Sequence, residues 1–350
     1  MTYKFCDQLK KSIFLEGSCV YHCCNCGNGT ETVIVDKYKG EKLDWKKIVE
    51  QKLKFQEEAK DGKIPYKSCE NCYMWREDEW TEGGYLSEIS ISSWTICNCN
   101  CFYCFTAEDK DFYNSFQPYK VFPILKDLQK SGFLNFKNDN GGIVRLLGGD
   151  VSKLTDADKI INFFLSAGVQ NIYIPTSGIK YLPAVEKVLK AGRGEVIVSP
   201  DCANPELYKK IKRVDAYNTV RENMAKYAKS ARGKSEFISK YIVIPYINDT
   251  EEEIERWLEE CKNIGVRHIA YDAESIFITK FSAKIPKRLP QMFDYIERRG
   301  KEENLKVTRF RFAWQLLYDL ENGQTQYTDN KYDFEEQKLF MEKFLHTYCL

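Results

Sequence analysis

From residue 86 onward, short apolar runs alternate with stretches of helical period. Leu86–Ile91, Ile143–Leu147, Asn171–Ile174, Glu195–Val198, Lys240–Ile244 and His268–Tyr271 read as strands. Between them the pattern predicts helices over 118–131, 156–167, 182–190 and 205–214; similar barrels often carry an extra helix at 220–229, and the pattern predicts one more over 251–263. The last opens on Thr250-Glu251-Glu252-Glu253, a capped start with acidic residues at the positive end of the helix. Apolar strands separated by helices build a parallel sheet from βαβ units. Six such units do not close an eight-fold barrel, so the expected class is α/β, a partial (β/α)6 barrel spanning residues 86–280. Chemistry in such folds sits at the carboxyl ends of the strands. Those ends carry Cys97–Cys104, Gly148–Asp150, Thr176-Ser177, Ser199–Cys202, Pro245-Tyr246 and Asp272–Glu274.

The flanks follow other patterns. Residues 1–80 make a small cysteine-rich N-terminal module, with short strands at Ile13–Leu15 and Thr32–Val35 and a turn at Gly27–Gly29. Asp44 is placed to cap a helix from Trp45 to about Lys60, stopped by Asp61-Gly62. Thr81–Gly84 reads as a boundary. Residues 281–350 form a helical and strand extension. In it Arg309-Phe310-Arg311-Phe312 alternates like an edge strand with one basic face, either a grip for an anionic group or a solvated surface.

Composition narrows the chemistry. Lys and Arg (52) balance Asp and Glu (51), which leaves no electrostatic footprint for nucleic acid, so no nucleic-acid partner is expected. No apolar run approaches the roughly 20 residues of a membrane span, and the N-terminus lacks a signal-peptide stretch, so a cytoplasmic location without a membrane partner is expected. Fourteen cysteines in that setting argue for metal or redox chemistry, and all but Cys202, Cys261 and Cys349 lie in the first third of the chain.

Cys97, Cys101 and Cys104 stand as C-x3-C-x2-C directly after the first core strand. Three thiolates on one loop hold three irons of a cubane cluster and leave the fourth open to a small molecule. The competing use is a zinc site, but zinc prefers paired knuckles and four closed ligands. With Tyr103 before the last cysteine and Gly148-Gly149-Asp150 after the second strand, the chain resembles the radical S-adenosylmethionine (SAM) enzymes. That resemblance implies a [4Fe–4S] cluster on Cys97, Cys101 and Cys104 whose open iron binds SAM. One-electron reduction by an external flavodoxin- or ferredoxin-type partner then cleaves SAM to methionine and a 5′-deoxyadenosyl radical, which abstracts a substrate hydrogen atom. Gly148 and Gly149 let the backbone approach the cofactor's ammonium, beside the Asp150 carboxylate; the family's usual Gly-Gly-Glu-Pro is here Gly-Gly-Asp-Val. Tyr103 is placed to pack on the adenine, and Ser177, Ser199 and Asp201 to bind the rest of the cofactor; Ser199 and Asp201 read equally well as turn and cap residues. Cys99 departs from the pattern and is expected to point away from the cluster.

Cys69-Glu70-Asn71-Cys72 is a knuckle far in sequence from Cys6, Cys19, Cys23, Cys24 and Cys26, an arrangement suited to a second, closed metal site. The segment resembles the auxiliary-cluster modules called SPASM and twitch, although these usually follow the radical core. The resemblance implies an auxiliary [4Fe–4S] cluster on Cys6, Cys23 or Cys24, Cys69 and Cys72; structural zinc is the alternative. Two outcomes then compete for the substrate radical: loss of an electron to that cluster, giving oxidation or crosslinking, or hydrogen return from a thiol, giving epimerisation. Cys202 at a strand end is the candidate donor, or else a small core cysteine. Arg145, Tyr246, Asp272 and Glu274 are candidate contacts to a peptide or carbohydrate-type small-molecule substrate; Arg145 reads equally as a buried ion-pair partner. A non-catalytic iron–sulfur carrier or zinc-binding protein is the rival class.

Overall fold

The computed structural model describes residues 2–23, 32–70, 72, 74–79, 83–104, 120–138, 140–281, 283–328 and 330–347. Its strands are β1 (Thr2–Phe5), β2 (Ser12–Glu16), β3 (Cys19–Tyr21), β4 (Val33–Val35), β5 (Arg76–Glu79), β6 (Glu88–Ser92), β7 (Ile143–Leu146), β8 (Asn171–Thr176), β9 (Gly194–Val198), β10 (Glu236–Val243), β11 (His268–Ala273), β12 (Lys284–Pro286), β13 (Lys306–Arg309) and β14 (Gln326–Thr328).

The six expected core strands lie side by side as β6 to β11, every pair parallel, joined through helices. Alternate side chains of β8, Ile172 and Ile174, and of β9, Val196 and Val198, are fully buried in the main core with helix residues such as Ile161 and Val188, while Tyr173 and Pro175 on the other face of β8 are half-buried. The sheet does not close: it runs in the order β13-β11-β10-β9-β8-β7-β6-β2-β3-β4, so the barrel is partial and open at both margins. Two additions extend the core. β13 pairs in parallel with β11, and β2 of the cysteine-rich segment pairs in parallel with β6, from Ser12–Glu88 to Glu16–Ser92.

Helix boundaries follow local chemistry. Asp44 caps Trp45–Lys60 by accepting from the Lys47 amide, and Thr250 caps Glu251–Asn263 in the same way from Glu253. One expectation is corrected. Arg309–Phe312 is not a continuous edge strand: β13 ends at Arg309, and Arg311–Glu321 is helical. The cap comes from β11, where Asp272 Oδ1 accepts from the Phe312 amide at 2.9 Å and the Ala313 amide at 3.1 Å. A carboxylate at a helix N-terminus satisfies orphan amides and favours the dipole.

Candidate active site

The cysteine loop leaves β6 through Ser93–Ile96 and is pinned on two sides. Asn100 N donates to the Lys212 carbonyl at 3.0 Å and Phe102 N to the Ile211 carbonyl at 3.3 Å, so the C-terminus of helix Pro205–Lys212 holds the loop. Phe102 is buried to 1% exposure in the main core. Burial of one such ring contributes about 1.5–3 kcal/mol toward holding the loop. Cys104 N closes a turn onto the Cys101 carbonyl at 3.1 Å.

On the other side lies Gly148-Gly149-Asp150. Gly149 N donates to the Trp94 carbonyl and Asp150 N to the Ile96 carbonyl, each at 3.0 Å. A Cβ on Gly149 would stand 2.2 Å from the Ile96 carbonyl oxygen, and one on Gly148, whose φ is +114°, 2.4 Å from that of Trp94. The two glycines therefore serve a backbone contact with the residues that precede Cys97. Gly149→Ala is expected to displace the loop and lower iron uptake severalfold while circular dichroism stays unchanged; iron content at the parental level would refute this. Asp150, 1% exposed, is saturated locally: Oδ1 accepts from Ser152 N at 2.8 Å, Oδ2 from Thr176 Oγ1 at 3.0 Å and from Ser177 N at 2.5 Å. It joins the ends of β7 and β8.

The thiols of the loop influence one another. The Cys99 thiol hydrogen-bonds toward both neighbours and lowers Cys97; its bond to Cys101, helped by the Lys212 cation and opposed by burial, brings Cys101 down to about 7. Cys99 itself is driven up by the same bonds, Cys101 first. Its sulfur lies 4.0 Å from the Tyr208 hydroxyl. Cys97 is exposed and Cys101 and Cys104 half-buried. The loop offers the all-sulfur donor set that iron–sulfur clusters use, although no three His, Cys, Asp or Glu side chains among the described residues are gathered as around a bound metal.

The remaining candidates divide. Tyr103 and Asp201 meet behind the loop: the Tyr103 hydroxyl donates to Asp201 Oδ2, and Lys212 donates to both. Sequence reasoning passed over Lys212, which is buried at a helix end with no motif around it. Ser177 Oγ accepts from Ile179 N at 3.3 Å, and Ser199 is half-buried at the end of β9. Cys202 is 1% exposed, its thiol against the Asn204 carbonyl at 3.5 Å and the Pro200 carbonyl at 3.7 Å; burial pushes its pKa up to about 12. The four residues read as substrate contacts all have partners. Arg145 Nη1 is 3.2 Å from Glu88 Oε2, an ion pair in which Glu88 is buried and Arg145 half-buried. Tyr246 donates to Gln337 Oε1 at 2.9 Å beneath the Arg288 guanidinium. Asp272 holds Lys240 at 2.9 Å and caps the helix that follows β13, while Glu274 caps Ser275–Phe281 through the Ile276 and Phe277 amides.

The N-terminal cysteines converge. β1 and β5 pair antiparallel, Phe5 opposite Arg76, and Cys6 packs in one group with Cys69 and Trp75. Cys6, Cys23 and Cys69 pack in one buried group with Leu9, Ala59 and Trp75, and Cys72 acts electrostatically on Cys6. Burial raises Cys6 to about 11. Lys52, 1% exposed, points there from helix Trp45–Lys60, donating to the Leu9 and His22 carbonyls at 3.0 Å. Burial lowers its pKa to about 7 against the pull of Cys23 and Cys6. Cys24 and Cys26 lie outside the described residues.

A model of the radical SAM superfamily matches residues 91–261. Among curated relatives, the probable GTP 3′,8-cyclase of Saccharolobus islandicus (strain Y.N.15.51 / Yellowstone #2) is 25% identical over 240 residues, covering 65% of this chain and 70% of that protein. The probable GTP 3′,8-cyclase of Methanocaldococcus jannaschii is 32% identical over 130 residues, 37% of this chain and 41% of that protein. The crystal structure of SuiB from Streptococcus suis aligns with a TM-score of 0.50 at 13% identity, covering 84% of this chain and 61% of that one; this likeness is one of fold.

Proposed function

We propose, given that the chain belongs to the radical SAM superfamily through its domain at residues 91–261, that it cleaves SAM reductively and uses the resulting radical to oxidise or crosslink a peptide or small metabolite. The supporting observation is the cysteine loop at the carboxyl end of β6, pinned between Gly148–Asp150 and the end of helix Pro205–Lys212. A [4Fe–4S] cluster on Cys97, Cys101 and Cys104 would supply the electron that splits bound SAM. The chain's own contribution is positional: Phe102 and the Ile211 and Lys212 carbonyls hold the loop, and Asp150 ties it to β8. The electron enters from an external one-electron donor.

The test is anaerobic reconstitution followed by dithionite. Formation of 5′-deoxyadenosine is the expected result, and a fully loaded protein that leaves SAM intact would overturn the reading. Offering peptides and GTP as substrates separates a peptide-modifying reaction from the one named for the curated relatives.

Oxidation over epimerisation rests on two features. Cys202 is buried with its thiol on backbone carbonyls, so Cys202→Ala is expected to leave turnover and product within about twofold. Loss of product with continued SAM cleavage would restore the epimerase reading. The second feature is the buried group of Cys6, Cys23 and Cys69 with the half-buried Cys72 acting on Cys6, which we read as a closed auxiliary cluster able to accept the substrate electron. Loaded protein should then carry roughly eight irons per chain, falling to about four in Cys69→Ser/Cys72→Ser. Zinc in place of iron in that half would sink this assignment.

A further inference from the structure

A closed triangle of hydrogen bonds stands directly behind the cysteine loop. Lys212, 3% exposed, donates from Nζ to the Tyr103 hydroxyl at 2.5 Å and to Asp201 Oδ2, and the Tyr103 hydroxyl donates to the same carboxylate oxygen. Asp201, fully buried, uses its other oxygen to accept from Ile242 N at 2.8 Å, and its carbonyl accepts from Asn248 Nδ2 at 2.8 Å. Its φ of 60° is a left-handed conformation that needs such fixing. Tyr103 lies between Cys101 and Cys104 and is thereby tied to the ends of β9 and β10. The Lys212 backbone carbonyl takes the Asn100 amide from the same loop.

Charge makes the arrangement more than a brace. A buried ammonium is costly unless paired, and Asp201 offsets that cost. The Lys212 ammonium stands 5.0 Å from the centroid of the Tyr103 ring, in the loop between Cys101 and Cys104. In a low-dielectric setting a fixed cation favours whichever redox state carries more negative charge.

We propose that Lys212 is a positioning residue of the cluster site: clamped by Asp201 and Tyr103, its ammonium fixes the Cys101–Cys104 loop and favours the reduced state of the cluster held there. The inference rests on the cluster reading above and assigns a role to a residue outside the cysteine motif. It also places Tyr103 and Asp201 in the support of the loop.

The test compares reconstituted wild type with Lys212→Met and with Asp201→Asn/Lys212→Met, reading iron and sulfide content, the electron paramagnetic resonance spectrum and the midpoint potential. Lys212→Met is expected to load iron and to be harder to reduce by tenfold or more in the one-electron equilibrium, about 59 mV. The double variant, which loses both charges, should shift less. A loaded Lys212→Met protein with the parental potential and spectrum overturns the proposal. Should Lys212→Met fail to fold, Tyr103→Phe decides: it keeps the ring and the ion pair but cuts the tether, and an unchanged spectrum overturns the proposal. A wild type that assembles no cluster on Cys97, Cys101 and Cys104 overturns the underlying reading instead.

Discussion

Replacing Cys101 with Ser should abolish formation of 5′-deoxyadenosine, to the level seen without reductant, while the fold survives. Cys101 is the middle member of the C-x3-C-x2-C set and receives both the Cys99 hydrogen bond and the field of Lys212. A serine hydroxyl lacks the soft, readily deprotonated donor that iron–sulfur clusters require. Two remaining thiols leave an incomplete cradle, so the loss should approach completeness instead of the partial effect of an outer contact, typically 10–100-fold. Because the loop is held by Phe102 and by backbone bonds to Ile211 and Lys212, removing one sulfur should not unfold it. Product analysis after dithionite, with circular dichroism on the same sample, checks both halves. Residual cleavage above about a tenth of wild type would mean that the cluster hangs on other cysteines.

The largest expected effect on stability lies at the join between the core and the C-terminal residues. Asp249, at the carboxyl side of β10 and 3% exposed, accepts from Arg288 Nε at 2.5 Å and also from its Nη2. Burial pushes the Asp249 carboxyl up, and the Arg288 guanidinium opposes that shift. Arg288→Met leaves the carboxylate buried without its cation, a change that costs about 3–5 kcal/mol in comparable pairs. It also removes the cation stacked 4.9 Å over the Tyr246 ring. Urea denaturation of Arg288→Met should show that loss, and Asp249→Asn/Arg288→Met should recover most of it. A single variant within about 1 kcal/mol of wild type would show that water reaches Asp249.

Periodic and capping signals are local, and the structure honours them. The six core strands and the Asp44-capped helix were readable because apolar runs and cap residues lie within a few positions of what they control. Longer-range matters were not. Nothing near Ser12–Glu16 announces that it lies against β6, over 70 residues on, because strand pairing leaves no trace in a single strand. Arg309–Phe312 alternates like a strand, yet its second half turns helical because the cap is Asp272, from another strand. The same limit applies at the site. The three loop cysteines announce themselves by spacing. Lys212 is brought to them only by the fold, and the partners of Arg145, Asp272 and Glu274 become visible only when strands and helix ends meet.

The pairing of β2 with β6 bears on how a substrate arrives. With β7 on one side and β2 on the other, β6 presents no unpaired backbone. An incoming extended peptide therefore cannot add itself as a strand beside the cysteine loop, as it would on an open sheet margin.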